Sequence, residues 1–381
     1  MQRVRNSSFI AAMLLLAAGL VLGACGKRGA EANSVPAQSG TEYATKLKIW
    51  EERGIPMAAV YEASDTVHPL GTYIFASKEK AEVLLKRYPD ALAVKPGGGN
   101  LLLYTTVHAS VLSELGAVDQ IGSVVDADYF TDPEIRRRIA SGLITDMGIS
   151  SSPLKEKLIA RKPSLAVVSS YSGMDVSALR QLGIPILYLT ENQETDPLGR
   201  AEWIKLLGLL TGKRAQADSI FNSVKTDYLQ LREVASKVKE RPKVMTENMY
   251  QGIWYVAGGG SDVASMISDA GGDYAWSDDK SEGSLSLSFE AVLSKAGDSD
   301  IWLMKIFGEE LTAPSLLAKD SRYSLFKPFK SGGVWYSNTA KSRLFEEIPF
   351  HPDRLLKEYI KIFHPELLPD YKLVYYTPMG K

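Results

Sequence analysis

The sequence predicts an α/β protein in which two α/β blocks are separated by a single long helix. Short apolar runs alternate with helix-length segments between Leu101 and Leu189, and the same alternation returns from Lys243 to Phe363. Between the blocks, Lys213 to Lys239 carries apolar residues at Ala217, Ile220, Phe221, Val224, Tyr228, Leu231, Ala235 and Val238. Those intervals of three and four place them on one helical face.

Element by element, Gly71 to Phe75 is strand-like, and the stretch from Tyr43 to Gly99 reads as an antiparallel edge or N-terminal extension. Leu101 to Tyr104 is a buried strand followed by a helix from Ala109 to Leu115, and Gly122 to Asp126 is a second strand. Asp132-Pro133 opens a helix, with proline at its favoured first position. Leu165 to Ser170 is a strand, Asp175 to Leu182 a helix and Ile186 to Leu189 a strand. The long helix over 213–239 would run about 40 Å at 1.5 Å per residue, and Arg241-Pro242 stops it. Beyond it, Lys243 to Thr246, Ile253 to Val256, Asp300 to Met304 and Val334 to Tyr336 are strands. Helices run from Asp262 to Ala270, Phe289 to Ser294 and Pro352 to Phe363.

Composition narrows the function. Of 381 residues, 45% are hydrophobic and 23% charged, which excludes a mostly disordered chain, a collagen-like repeat and a polytopic membrane protein. Lys plus Arg number 44 against 45 Asp plus Glu, so no positive excess exists for a phosphate backbone and nucleic-acid binding is not expected. The single cysteine excludes an intramolecular disulfide and a cysteine metal cage. Arg3 and Arg5 precede the uncharged run Phe9 to Leu22, which is too short to span a bilayer but suits the apolar region of a signal peptide. The run ends Leu22-Gly23-Ala24-Cys25, which resembles a bacterial lipobox; the alternative is a plain secretory signal with Cys25 incidental. Gly26 to Gly40 is small and polar, a flexible tether.

Much chemistry is missing. No Gly-x-Ser-x-Gly elbow occurs, and Gly208 to Arg214 is one residue short of a phosphate loop and has Arg in place of its Ser or Thr. Gly258-Gly259-Gly260 is not a dinucleotide fingerprint and reads as a tight turn before a helix capped by Ser261 or Asp262 in preference to a phosphate-binding loop. His68, His351 and His364 each precede proline, and no paired-histidine spacing marks a metal site. His108, in Tyr104-Thr105-Thr106-Val107-His108, follows a strand and begins a helix, where ligands of open α/β sheets bind. It is read either as a ligand contact or as a packed, capping histidine. Tyr129, Tyr171, Tyr250, Trp254, Tyr255 and Trp276 recur after strands. Each alone reads more often as core or rim than as a ligand contact, but their clustering at strand-to-helix turns suits a cleft for a large flat or apolar ligand. Arg136-Arg137-Arg138, the one basic run, reads as a solvated helix face.

Three segments carry a family resemblance: Ser113-Glu-Leu-Gly-Ala-Val-Asp-Gln-Ile-Gly122, Glu156-Lys-Leu-Ile-Ala-Arg-Lys-Pro-Ser-Leu165 and Leu182-Gly-Ile-Pro-Ile186. The chain resembles the periplasmic substrate-binding lipoproteins of ABC importers that take up iron complexes and vitamin B12. Pro197-Leu-Gly-Arg-Ala-Glu-Trp203 and Phe363-His-Pro-Glu-Leu-Leu-Pro369 resemble a Bacteroidetes-type branch. The resemblance implies two α/β lobes bridged by the long helix, with the ligand cleft between the lobes and only modest closure. It also implies docking to permease arginines through one exposed glutamate per lobe, Glu156 and Glu290. Ser164 departs from the aspartate usual in the family, and the Tyr43 to Gly99 extension is longer than in compact members.

The resulting expectation is a signal peptide over 1–24, lipidated Cys25 and tether over 25–42, a first lobe over 43–197, a linking long helix over 198–240 and a second lobe over 241–381. The protein is expected to be a monomer anchored in the cell envelope facing the periplasm. It would bind a ferric siderophore or haem through Tyr104, Thr105, His108, Tyr129, Tyr171, Tyr250, Trp254, Tyr255, Gly259 and Trp276. It would pass that cargo to an ABC permease and its ATPase, with no resident metal, cofactor or catalytic residue. Cobalamin is the alternative cargo, and a chelatase-like enzyme or a surface scavenger feeding an outer-membrane receptor are the rival readings.

Overall fold

The computed structural model describes residues 40–170 and 175–380. Cys25, the signal segment and Tyr171 lie outside the described residues.

The first lobe is built on a five-stranded, wholly parallel sheet. Its order is Thr145–Asp146, Ile121–Val124, Leu101–Leu103, Leu165–Ser169, Ile186–Leu189. The central strands are buried at every position, as expected of parallel strands covered on both faces. The second lobe repeats the plan with Asp273–Tyr274, Lys243–Thr246, Ile301–Ile306 and Val334–Asn338 in parallel, closed by antiparallel Thr377–Pro378. Beside it stands a three-stranded antiparallel sheet of Met249–Tyr250, Ile253–Ala257 and Ser284–Leu287.

The linking region holds three helices rather than one. Pro197–Glu202 begins behind Asp196, whose carboxylate accepts from the Leu198 and Gly199 amides at 2.7 and 3.1 Å. Ile204–Thr211 follows and stops at Gly212, whose φ of 72° only glycine adopts readily. The long helix is Arg214–Ser236, 23 residues and about 34 Å, shorter at both ends than the periodicity predicts. Gly208 allows the last two helices to meet, because a Cβ there would lie 2.4 Å from that of Ala217.

The N-terminal extension is a small unit of its own. Leu47–Glu52 and Ile55–Val60 form a hairpin whose two turn residues, Arg53 and Gly54, have φ of 54° and 73°, the double positive φ of a type I′ turn. Gly71–Phe75 extends it antiparallel, and Leu92–Val94 joins in parallel after the helix Lys78–Arg87. The unit docks against the edge of the first lobe, where the Tyr188 amide donates to the Tyr73 hydroxyl at 2.9 Å and Thr190 Oγ1 donates to the Tyr61 carbonyl at 2.6 Å. An otherwise exposed sheet edge is thereby covered.

Buried carboxylates fasten both ends of the described chain. Glu202, fully buried, accepts from the Glu42, Tyr43 and Ala44 amides at 2.8–3.0 Å and from Lys205 Nζ at 2.6 Å. Glu194 accepts from the Thr45 and Lys46 amides, the Thr45 hydroxyl and the Trp203 indole at 2.7–3.1 Å. Glu358, also fully buried, accepts from the Val374, Tyr375 and Tyr376 amides and the Tyr371 hydroxyl at 2.7–3.0 Å. A buried charge is tolerated only when its lone pairs are taken up in this way.

Removing the Glu202 carboxylate strands three amides and Lys205. Glu202→Ala is therefore expected to lower stability by about 2–4 kcal/mol in urea unfolding, and to make residues 40–46 the first site of proteolysis. Glu202→Gln, which keeps one acceptor, should fall between. A loss below about 0.5 kcal/mol, the range of ordinary surface changes, would contradict the role given to this carboxylate.

Candidate binding cleft

In the first lobe, Leu101–Leu103 and Leu165–Ser169 are adjacent, and the chain winds outward from them in opposite directions. That reversal creates a crevice at the carboxyl ends of the strands, the usual ligand position in open α/β sheets. Thr105 caps the helix Thr106–Glu114 there, accepting from the His108 amide at 3.2 Å. After the next strand, Asp126 turns left-handed with φ 50°, and a single helical turn at Ala127–Tyr129 swings Tyr129 outward. Facing these turns from the second lobe are Phe307, directly after Ile301–Ile306, and Thr339 to Glu346, after Val334–Asn338.

Between the two sets of turns lies a cavity of about 390 Å³. Tyr129, Phe307 and Phe345 line it and are 64%, 71% and 53% exposed. Its polar lining includes Thr106, Asp128, Arg136 and Glu346. Arg137 and Arg138 both pair with Glu134 at 2.7 Å, whereas Arg136 donates to the Phe130 carbonyl at 3.2 Å. Arg136 is thus a cleft cation and not part of a uniformly solvated face. Behind Phe345 a second cavity of about 240 Å³ opens toward Arg200, Lys305 and Tyr359.

Glu346 also ties the lobes together. It accepts from the Thr131 amide and hydroxyl at 2.9 and 2.6 Å, and from Arg343 Nε at 2.9 Å. Arg343 reaches Ser110 at 3.2 Å and Asp132 at 3.6 Å, while His351 Nε2 meets Glu114 at 2.8 Å. Burial opposes ionisation of Glu114, but the hydrogen bond and charge of His351 outweigh it and leave the carboxyl below its ordinary range.

The expected site residues divide sharply. Tyr129 stands in the cavity wall. Thr105 is spent as a helix cap, and Tyr104 is buried in the first lobe's smaller apolar cluster. His108 is fully buried, with Nε2 3.3 Å from Glu191, so it is a packed histidine rather than a cleft ligand. Burial raises the Glu191 carboxyl, yet the neighbouring His108 and Arg200 bring it below its usual range. Trp254 belongs to the second lobe's aromatic core, stacked on Trp302 at 5.6 Å with its indole donating to the Thr246 carbonyl at 3.0 Å. Trp276 is likewise buried, against Tyr274. Gly259 serves close packing, since a Cβ would sit 2.4 Å from the carbonyl oxygens of Trp276 and Asp279. Tyr250 and Tyr255 are exposed on the three-stranded sheet and line neither cavity. Glu156 is exposed in the first turn of Lys155–Arg161, and Glu290 is exposed beside Arg322 at 3.2 Å. Phe307, Phe345 and Arg136 were not among the expected residues. Phe307 obeys the strand-end rule that singled out the tyrosines, whereas Arg136 is distinguished only by Glu134 taking its two neighbours.

Residues 103–335 match the family described as periplasmic binding protein. The chain belongs to that family. It is a family of solute-binding proteins, consistent with two lobes facing across a lined cavity. Among curated relatives, an uncharacterized lipoprotein of Methanocaldococcus jannaschii is 31% identical over 245 residues, covering 62% of this chain. The match spans 56% of that relative's length. A periplasmic heme binding protein of Pseudomonas aeruginosa superposes with a TM-score of 0.57 at 16% identity, covering 74% of this chain and 98% of its own. An ABC-type Fe3+-hydroxamate transport system protein of Saccharomonospora viridis gives 0.55 at 16%, covering 71% and 94%. At these identities the likeness establishes the fold. Among the described residues no helix is long and apolar enough to cross a membrane.

The Glu114–His351 contact gives a pH prediction. A carboxyl whose folded value is depressed contributes stability above its unfolded value, here 4.5, and loses it as pH falls through the folded value. Wild type is expected to exceed His351→Gln in urea stability at neutral pH, and the gap should narrow as pH is stepped below 4.5. A gap unchanged across that range would contradict the assignment.

Proposed function

We propose that the protein is the substrate-binding lipoprotein of an ABC importer, anchored through Cys25, that captures an iron complex in the interlobe cleft and presents it to the permease. The observation that carries this reading is the trio Tyr129, Phe307 and Phe345, exposed around one cavity with Arg136 in its wall. Large aromatic side chains left in water within a cleft suit a flat or bulky apolar partner. Arg136 suits carboxylate or other anionic groups on that partner and favours haem or an anionic ferric siderophore over a corrinoid. The two structural relatives above, one named for heme and one for Fe3+-hydroxamate, point to the same cargo class.

Tyr129 is the described side chain suited to meet the iron of the cargo, because a phenolate is a competent ferric ligand and this one faces the cavity. The buried His108 is not available for that role without unpacking the first lobe. Glu156 and Glu290 are proposed as the permease contacts. The Arg322 partner of Glu290 is no obstacle, since an exposed ion pair holds its members weakly.

Titration of the purified protein with haemin, an anionic ferric tricatecholate siderophore and cyanocobalamin tests the reading. One iron complex is expected to saturate at one equivalent, with cyanocobalamin not binding. If haemin is that complex, Tyr129→Phe should remove the phenolate-to-iron band from the visible spectrum. Arg136→Glu should weaken binding about tenfold or more, equivalent to about 1.4 kcal/mol. An unchanged spectrum and affinity in both variants would contradict the proposed site. Charge reversal at Glu156 and Glu290 together is expected to abolish uptake in cells while leaving affinity intact; lost affinity would refute a docking role.

A further inference from the structure

Part of the second-lobe wall of the larger cavity comes from two turns that follow neighbouring strands. Phe307 comes directly after Ile301–Ile306, and Thr339, Ala340 and Ser342 follow Val334–Asn338. The strands run parallel with Ile306 beside Asn338, so both turns leave the sheet at the same level. Phe307 is 71% exposed, so burial does little to hold it in place and its turn must be fixed by hydrogen bonds.

The side-chain amide of Asn338 supplies them. Its Oδ1 accepts from the Gly308 amide at 3.1 Å and from the Ala340 amide at 3.2 Å, and its Nδ2 donates to the Glu309 carbonyl at 3.0 Å. One buried side chain thus ties both turns to the end of the strand. Gly308 has a φ of 82°, which glycine adopts without strain, and this bend lets its N–H meet Asn338. The pattern calls for an acceptor with two lone pairs on one side and a donor on the other; aspartate has only the first and alanine neither. The other bridge between the turns, Glu310 to Lys341, joins two exposed side chains and contributes little. Asn338 is not itself among the residues that line the cavity.

We propose that Asn338 is a positioning residue of the binding site, holding Phe307 and the 339–342 turn as one preformed wall against which cargo docks. The clasp does not depend on what the cargo is; its contribution to affinity rests on the iron-complex reading. A wall fixed before binding removes the entropy cost of ordering it when cargo arrives, and it slows release.

Hydrogen exchange read at single amides tests the clasp without any cargo. Asn338→Ala is expected to lose protection at Gly308 and Ala340 together, with the strands of the first lobe unchanged. Asn338→Asp, which keeps the acceptor, should retain protection at both. Haemin and a ferric tricatecholate then probe affinity. For whichever binds, Asn338→Ala should weaken binding about tenfold, mainly through faster dissociation, and Asn338→Asp by less. A double-mutant cycle separates positioning from a general loosening of the fold. Asn338→Ala should add little to Phe307→Ala, because the ring it positions is already gone. Its effect should multiply with that of Tyr129→Ala on the opposite lobe. Circular dichroism establishes that each variant is folded.

Unchanged protection at Gly308 and Ala340 in Asn338→Ala overturns the clasp. Lost protection with unchanged affinity, or an effect that multiplies fully with that of Phe307→Ala, overturns the positioning role. Binding of neither iron complex by wild type refutes the iron-complex reading and the contribution to affinity with it, while exchange at the two amides still decides the clasp.

Discussion

The arrangement of the molecule depends on a short stretch, Glu191 to Glu202, that fixes the crosspiece between the lobes. Glu191 holds His108 at the root of the first lobe's helix, Glu194 and Glu202 take up the N-terminal segment, and Arg200 reaches Asp262 at the start of a second-lobe helix. Each of these carboxylates is buried or partly buried and is worth little as a lone charge. Their value lies in the amides and cations they satisfy, because leaving either side unpaired in low dielectric is costly. The crosspiece is thereby hydrogen-bonded to both lobes.

Those cleft contacts have a double character. Glu346 lines the cavity and also accepts from Thr131 of the opposite lobe, so the wall that faces a ligand is the wall that latches the lobes. A ligand that displaced Thr131 from Glu346 would loosen the latch, and one that left it in place would add its own contacts to it. Binding energy and lobe geometry are coupled through one carboxylate.

Much of the fold was legible because parallel strands announce themselves. Leu101 to Leu103 and Leu165 to Ser169 are continuous apolar runs, and Pro352–Phe363 keeps a clean helical stripe. The hairpin at Arg53-Gly54 was not read, because its turn lacks the Asn-Gly or Asp-Gly pair that usually marks a type I′ turn. Periodicity alone makes the linking region look like one helix, because Gly212, which divides it, sits just before a strong periodic run. The site was less legible, and for a physical reason. An aromatic residue after a strand serves equally well as a core anchor or a cleft wall, and only the packing of distant segments decides. Trp254 packs with Trp302, Tyr323 and Phe326 in the core; Tyr129, on a single turn beyond the sheet, has no such aromatic partners among the described residues.

In the proposed function, the turns carrying Tyr129, Phe307 and Phe345 enclose the cargo's metal. A crystal structure of the protein grown with the iron complex it saturates with, phased on the anomalous signal of iron, tests this most directly. A single iron peak is expected in the interlobe cavity beside the Tyr129 hydroxyl. An iron peak on the three-stranded sheet at Tyr250 and Tyr255, or elsewhere on the surface, with the cleft empty of complex, would contradict it.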